Sequence, residues 1–374
     1  MKTPSTKTTP TLRFPGFSGA WEEKKLGEVL KFEQPTKYIV KSTEYNDVYN
    51  TPVLTAGKSF ILGYTNETDN IFNDLPVIIF DDFTTATQFV DFRFKVKSSA
   101  MKILKTKDNN NAKVIFEILK QVKYEVGGHG RHWISKYSHI KVQVPKQNEQ
   151  NKIAEFLSGV DEWIDNLKKQ KENLESYKKG MMQKIFSQEI RFKDENGQDF
   201  ADWEEKRVKD IFEVTRGDVL AVKNTDLLPN LKNKYPVYSS QTKDSGLMGY
   251  YDKYLYEDAI TWTTDGANAG DVNFRSGKFY CTNVCGVLIN EKGYSNKFTA
   301  KLLNSVTRNY VSYVGNPKLM NNVMAQIKIK LPEVQEQQKI AEFLGSVDNM
   351  LELKQKQIAC AEEWKRGVMQ GVFV

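Results

Sequence analysis

Cysteine and histidine are scarce in this chain, three of each among 374 residues. Three thiols (Cys281, Cys285, Cys360) are too few and too oddly numbered for a disulfide framework, which points to a reducing, cytoplasmic compartment. Cys281 and Cys285 have CxxxC spacing without a second pair, so buried free thiols are expected in place of zinc. No apolar run approaches the roughly 18 residues needed to span a bilayer. The Thr/Lys/Pro-rich start has no apolar segment of the signal-peptide kind, and no membrane partner is expected. Also missing is the Gly-x4-Gly-Lys-Ser/Thr loop with which a motor would cradle phosphates. A methyltransferase would need a Gly-rich cofactor loop and an Asn/Asp-Pro-Pro-aromatic motif; Asn316-Pro317-Lys318 is not one. No nucleophile–His–acid set or metal-nuclease constellation stands out, so catalysis is not expected of this chain. Lys and Arg number 54 against 47 Asp and Glu, a net +7 that permits an anionic partner without demanding one.

What the sequence does have is a repeat. Residues 145–161 (PKQNEQNKIAEFLSGVD) and 332–348 (PEVQEQQKIAEFLGSVD) agree at 11 of 17 positions with an offset of 187. Gly180-Met181-Met182-Gln183 and Gly367-Val368-Met369-Gln370 continue the match. Upstream, Trp21-Glu22-Glu23-Lys24 corresponds to Trp203-Glu204-Glu205-Lys206, each preceded by an Arg-Phe pair, Arg13-Phe14 and Arg191-Phe192. The order is short motif, long variable block, helical motif, then the same again.

The variable blocks share a layout but few letters. Each has a Pro-Val pair (Pro52-Val53, Pro236-Val237) and then a Gly-Tyr pair (Gly63-Tyr64, Gly249-Tyr250). A β-like run follows (77–80; 259–263), then a helix-like stretch (112–123; 296–310). Each ends in an alternating strand before proline, 140–144 and 327–331. The layout predicts two α+β domains built on one scaffold and carrying two different surfaces. The expected divisions are a flexible tail over 1–12, a first domain over 13–144, a first helix over 145–187, a second domain over 188–331 and a second helix over 332–374.

After Pro145 the apolar spacing changes to three and four. One seam runs through Ile153, Leu157, Val160, Ile164, Leu167, Leu174 and Met181. The other runs through Ile340, Leu344, Val347, Leu351, Ile358 and Val368, with lysines interrupting both. This is a heptad pattern over about five heptads, enough for paired helices roughly 60 Å long. Each helix could instead simply cap its own domain, but the seam is longer than a small domain needs. An antiparallel pair is expected, because the second helix then returns along the first, and because a parallel one would set Lys178 against Lys365. Such a pair implies a pseudo-twofold internal repeat.

The Gln337-Gln338-Lys339-Ile340-Ala341-Glu342-Phe343-Leu344 stretch, the Trp-Glu-Glu-Lys starts and the duplicated block-plus-helix order together resemble the specificity (S) subunits of type I restriction–modification enzymes. The likeness covers nearly the whole chain. It implies two target recognition domains, each reading one half of an asymmetric, split site on double-stranded DNA. It also implies helices that set the spacer and dock methyltransferase (M) subunits, expected to be two, with restriction (R) subunits joining the full complex. S-adenosylmethionine, ATP and Mg²⁺ would then serve the holoenzyme, an adenine methyltransferase and ATP-dependent endonuclease, and this chain would hold no cofactor or metal. A stand-alone bipartite DNA-binding regulator, or a nuclease with an unrecognised active site, are the competing readings.

Candidate DNA contacts follow from residue chemistry. In residues 126–133, the glycines around Gly128 let backbone approach phosphate, Arg131 suits phosphate or guanine, and Trp133 can pack beneath. His129, His132 and His139 lie there or nearby, without the further ligands a zinc site needs. Thr84, Thr85, Thr87 and Gln88, and in the second block Thr264 and Asn268, offer hydroxyls and amides that also simply make turns. Lys58, Ser59 and Tyr64 correspond to Ser240, Gln241, Lys243 and Tyr250. Asn316, Lys318 and Asn321 combine a cation with amides suited to adenine edges. Trp21 and Trp203 read as core anchors.

Overall fold

The computed structural model describes residues 8–56, 59–124, 130–240 and 243–374. The chain divides into two compact units, Met1–Lys169 with Gln355–Val374, and Gln170–Lys354. Each long helix is therefore shared between units.

The first unit opens with β1 (Glu22–Lys25), α1 (Leu26–Val29), β2 (Leu30–Glu33), β3 (Thr51–Leu54) and β4 (Ile61–Thr65). It continues through β5 (Val77–Asp81), β6 (Thr87–Val90), β7 (Lys95–Val96), β8 (Met101–Thr106), α2 (Ala112–Gln121) and β9 (Lys141–Val144). The long helix α3 (Gln147–Phe186) starts here. One sheet has the order β2-β8-β5-β6 and a second β4-β3-β7, while β1 and β9 form a separate antiparallel pair. Helix α2 begins at Asn111, whose side chain accepts from the amides of Lys113 and Val114, a cap worth about 1 kcal/mol.

The second unit repeats the plan. It contains β10 (Glu204–Arg207), α4 (Val208–Ile211), β11 (Glu213–Arg216), β12 (Tyr235–Tyr238), β13 (Leu247–Tyr251), β14 (Tyr256–Thr263) and β15 (Val272–Cys281). Then come β16 (Cys285–Ile289), α5 (Lys297–Val306), α6 (Asn321–Gln326), β17 (Lys328–Leu331) and the start of α7 (Val334–Val372). The sheet order β11-β16-β14-β15-β12-β13 follows the orders β2-β8-β5-β6 and β7-β3-β4 of the first unit joined end to end. Long β15 does the work of both β6 and β7, so two sheets become one. In both units the parallel contact (β3 with β7, β12 with β15) and a bulge one residue after Pro-Val recur.

This explains the shared motifs. Pro52 pairs with Tyr64 and Val53 with Gly63; Pro236 pairs with Tyr250 and Val237 with Gly249. The Pro-Val and Gly-Tyr pairs are cross-strand partners. A Cβ at Gly63 would lie 2.8 Å from Tyr45, and one at Gly249 2.8 Å from the Asp226 carbonyl, so the glycines admit a crossing segment. The Trp-Glu-Glu-Lys starts pair with the closing strands, Glu22 opposite Val144 and Glu204 opposite Leu331. Trp21 and Trp203 are buried, as their reading as anchors expects.

The helical repeats are joined to their blocks in the same way twice. Arg13 donates two hydrogen bonds to Glu149 (2.8 and 2.7 Å), and Arg191 does so to Glu336 (2.9 and 2.8 Å). Phe14 packs on Phe156 and Phe192 on Phe343. Buried Gln150 donates to the Pro145 carbonyl and accepts from the Asn111 amide. Gln337 donates likewise to Pro332 and accepts from Asn296 and Thr299. Thr8 and Leu12, expected in a loose tail, are instead tied down. Thr8 accepts from the Trp21 amide, and the Leu12 amide donates to Gly371 at 2.8 Å.

Within each unit the helices run antiparallel. In the first, Ile153 and Leu157 share a core with Met369 and Val372, and Val160, Ile164 and Leu167 pack with Ile358 and Ala361. In the second, Ile185 shares a core with Ile340 and Leu344, while Lys178, a full two turns earlier, reaches Asp348. Val347 is buried, and Leu174, Met181, Leu351 and Val368 are half-buried. The seam lysines also find partners. Lys365 meets Asp161 and Lys178 meets Asp348, and each aspartate takes a second lysine from its block, Lys113 at 2.6 Å and Lys301 at 3.0 Å. Burial alone would raise both carboxyls, but the hydrogen bonds from the paired lysines hold them below their ordinary value.

One core position tolerates no side chain. A Cβ on Gly286 would fall 2.1–2.3 Å from the Trp262 ring, which is itself buried. Gly286→Ala is expected to destabilise the second unit by about 3 kcal/mol, lowering its unfolding midpoint by on the order of 10 °C. A calorimetric midpoint within a degree of the parent would show that Trp262 has room to move.

Candidate nucleic-acid interface

In the first unit, the turn after β5 is built on two aspartates. The Asp81 carboxylate accepts from the amides of Phe83 (2.9 Å) and Thr84 (3.3 Å) and from the Thr84 hydroxyl (2.5 Å). Thr85 takes the left-handed conformation with φ 63°. Asp82 ties in the end of the glycine-rich stretch: its carboxylate accepts from the Trp133 amide and its carbonyl from the His132 amide, both at 2.9 Å. Trp133 is buried edge-on against Phe80, and the Arg131 guanidinium lies 6.0 Å from the Phe83 ring. Two stretches singled out separately in the sequence thus meet at one place. Thr84, Thr85 and Arg131 belong to it.

Beneath the turn, Lys102 lies 3.4 Å from Asp82, with side-chain exposures of 1% and 2%. An ion pair this deep contributes little net stability, yet losing either partner would strand the other charge. Its effect is to fix the turn. Thr87 and Gln88 follow on the edge strand β6, Gln88 exposed. Tyr64 belongs to the other sheet and Ser59 to the bend before its strand β4, while Lys58, Gly128 and His129 lie outside the described residues. His132 is buried against Tyr124, and His139 is exposed.

The second unit gathers its candidates too. The Gly266 amide donates to Pro317 at 3.0 Å, and Asp265 bridges Lys318. Asn316 donates to the Asp265 carboxylate. The Leu319 amide donates to Thr264, and the Trp262 indole to Leu319 at 3.0 Å. Asn268 reaches the Ser240 carbonyl at 3.4 Å, drawing the loop after β12 into the same surface. Asn316 and Lys318 are exposed, as are Tyr313 and Val314. Thr264 is buried with its hydroxyl donated to Val284, so its place is in the scaffold of the loop. Asn321 starts α6 and donates to Thr215; Tyr250 pairs across the strand with Pro236. Gln241 lies outside the described residues, and Lys243 opens the short turn before β13. Cys281 and Cys285 are free and buried, and burial pushes the Cys285 thiol up to about 11.

Two buried cations beneath the candidate loops, Lys102 and Arg275, were not among the sequence candidates. Neither is flanked by a motif, and a cation in a strand ordinarily faces solvent.

Residues 19–176 and 201–363 match the family described as the type I restriction modification DNA specificity domain. The chain is 49% identical over 146 residues to the EcoR124I/EcoR124II specificity subunit of Escherichia coli, covering 37% of this chain and 36% of that relative. A relative from Mycoplasma pneumoniae is 36% identical over 147 residues, 38% of this chain, and is spanned to 39% of its length. The chain thus spans well under half of these two proteins. The MjaVIII specificity subunit of Methanocaldococcus jannaschii is 27% identical over 402 residues, covering 93% of this chain and 91% of that one. The fold also matches a crystal structure of an S subunit from M. genitalium with a TM-score of 0.65, at 17% identity, over 98% and 99% of the two chains. With two family matches that take in most of its length and fall on two halves sharing one strand order, the chain belongs to the type I restriction–modification DNA specificity family.

Proposed function

We propose that this chain is the DNA-recognition subunit of a type I restriction–modification complex and is not itself catalytic. Each block reads one half of an asymmetric bipartite site on double-stranded DNA. The helices running between the blocks set the spacer and dock two methyltransferase subunits, with restriction subunits completing the complex. S-adenosylmethionine, ATP and Mg²⁺ act on those other subunits. The observation that carries this reading is one strand order repeated under unrelated loops. A duplicated scaffold with divergent tips suits two different sequences read by one mode of docking.

Exposed aromatics on the helices support the docking role. In the first unit Trp163 and Trp364, exposed by 49% and 46%, lie edge to face with Phe156 beside them. In the second unit Tyr177 lies against Phe343, with Met350 and Leu353 exposed. Apolar surface of this kind is characteristic of protein contacts.

The decisive experiment is co-purification with a methyltransferase subunit, followed by mapping of methylated adenines across a genome. A split motif with a fixed spacer is expected; a continuous motif, or cleavage by the purified chain alone with Mg²⁺, would contradict the reading. Binding should also fall steeply with salt as counterions cease to be released, by about a thousandfold between 50 and 200 mM for some six phosphate contacts. Lys318→Ala should lower the log–log salt slope by about 1. An affinity independent of salt would rule out a phosphate-tracking surface.

A further inference from the structure

Arg275, on β15, is only 8% exposed. Its guanidinium carbon stacks 3.8 Å from the centre of the Tyr238 ring. Its Nε donates to the Thr261 hydroxyl at 3.0 Å, and one terminal nitrogen donates to the Ser245 carbonyl at 2.8 Å. Other buried cations meet carboxylates: Lys95 lies 2.8 Å from Glu67, and Lys102 has Asp82. Among the described residues, no ion pair includes Arg275. Burial pulls its pKa down from the usual arginine value.

The carbonyl it holds sits in an unusual piece of chain. Asp244, Ser245 and Gly246 have successive φ values of 49°, 54° and 89°, all in the left-handed region that side chains other than glycine resist. The Ser239 amide donates to the Gly246 carbonyl at 2.8 Å, and the Ser240 carbonyl receives Asn268. So the strained Asp244–Gly246 turn beside the candidate interface rests on a guanidinium that has no ion-pair partner among the described residues. For stability alone, an apolar side chain of similar length would serve the site as well or better. The cation's distinctive contribution is the fan of fixed donors that holds the loop from below while Tyr238 fixes the guanidinium plane.

We infer that Arg275 is a positioning residue that fixes the Asp244–Gly246 loop and thereby the sequence preference of the second block. It acts through the loop and does not itself touch a base. This rests on the reading of the chain as a bipartite DNA-recognition subunit.

The test uses the full chain assembled with its methyltransferase subunit, comparing the parent with Arg275→Met and Arg275→Lys. The half of the motif belonging to the second block is the one left unchanged when the first block is exchanged. Thermal unfolding and the rate of methylation at each single-base variant of the site are measured. Arg275→Met is expected to keep the parent's unfolding midpoint and to lose about tenfold in discrimination within the second half, with the first half as strict as before. Arg275→Lys keeps the charge but not the fan of donors, so it should behave similarly. The inference is overturned if folded variants discriminate as the parent does, or if both halves weaken together. It is equally overturned if both variants unfold, which would make Arg275 a core residue only. Should the parent itself show no split motif, the recognition reading fails first, and that outcome is visible before any variant is made.

Discussion

Exchanging residues 21–144 for the corresponding block of a different specificity subunit will replace one half of the methylated motif and leave the other half and the spacer as they were. The effect is all-or-none at the exchanged half, larger than any single-residue change can produce. The junctions are favourable because β1 and β9 pair with each other and close the block, so no sheet is cut. Both connections of the host helix that use Arg13 and Phe14 are retained, with Glu149 and Phe156 respectively. Sequencing of methylated adenines in cells carrying the chimera reads the result. A motif altered in both halves would mean that the blocks do not read independently, and the proposed division of labour would be lost.

The second large effect is expected at the helix pair. Asp161→Lys would set a third cation beside Lys113 and Lys365, replacing two attractions with two repulsions. The groups are partly exposed, with side-chain exposures of 33%, 19% and 27%. Each interaction is therefore worth no more than about 1 kcal/mol after screening, and the reversal should cost about 2–3 kcal/mol. Restoring the helix-to-helix attraction by adding Lys365→Asp should recover part of it, and only part, since Lys113 still faces the new lysine. Circular dichroism melts of the two variants against the parent decide this; equal midpoints for all three would show that the apolar seam alone sets the pairing. Acid should have a related effect. Asp161 and Asp348 are held below the ordinary carboxyl value in the folded chain. Their contribution is therefore complete at neutral pH and is withdrawn only as pH falls below about 4 and then through the lowered folded values. The double variant Asp161→Asn with Asp348→Asn should lose stability less steeply over that range.

The parts of this molecule that the sequence disclosed are those governed by periodicity and duplication. Ile153 to Leu167 announce a helix pair because their spacing of three and four persists far beyond what one domain can bury, and the copy at Ile340 repeats it. The antiparallel sense followed from the second helix returning along the first and from Lys178 and Lys365, whose actual partners, Asp348 and Asp161, occupy matching places in the two repeats. The Pro-Val and Gly-Tyr pairs were visible as letters, but their role was not. That Pro52 faces Tyr64, and Pro236 faces Tyr250, is a relation between strands that the letters in line do not carry. Thr264 read as a turn hydroxyl offered to DNA or to the turn itself, and it is buried with that hydroxyl donated to Val284. The cations under the loops were illegible for a related reason. Lys102 and Arg275 acquire meaning only from Asp82 and Ser245, residues 20 and 30 positions away that the fold brings to them.

The shared carboxylate of Asp161 has a consequence for building new specificities. One of its lysines comes from the neighbouring helix and the other from the recognition block, so a transplanted block that lacks a lysine in the place of Lys113 would arrive without its half of the fastening. Such a chimera could carry every correct base-reading group and still be held less firmly on its helix. Compatibility between donor and host then includes a position on the helix-facing side of the block, worth up to about 1 kcal/mol, and donors that keep a lysine there should graft with less loss of stability.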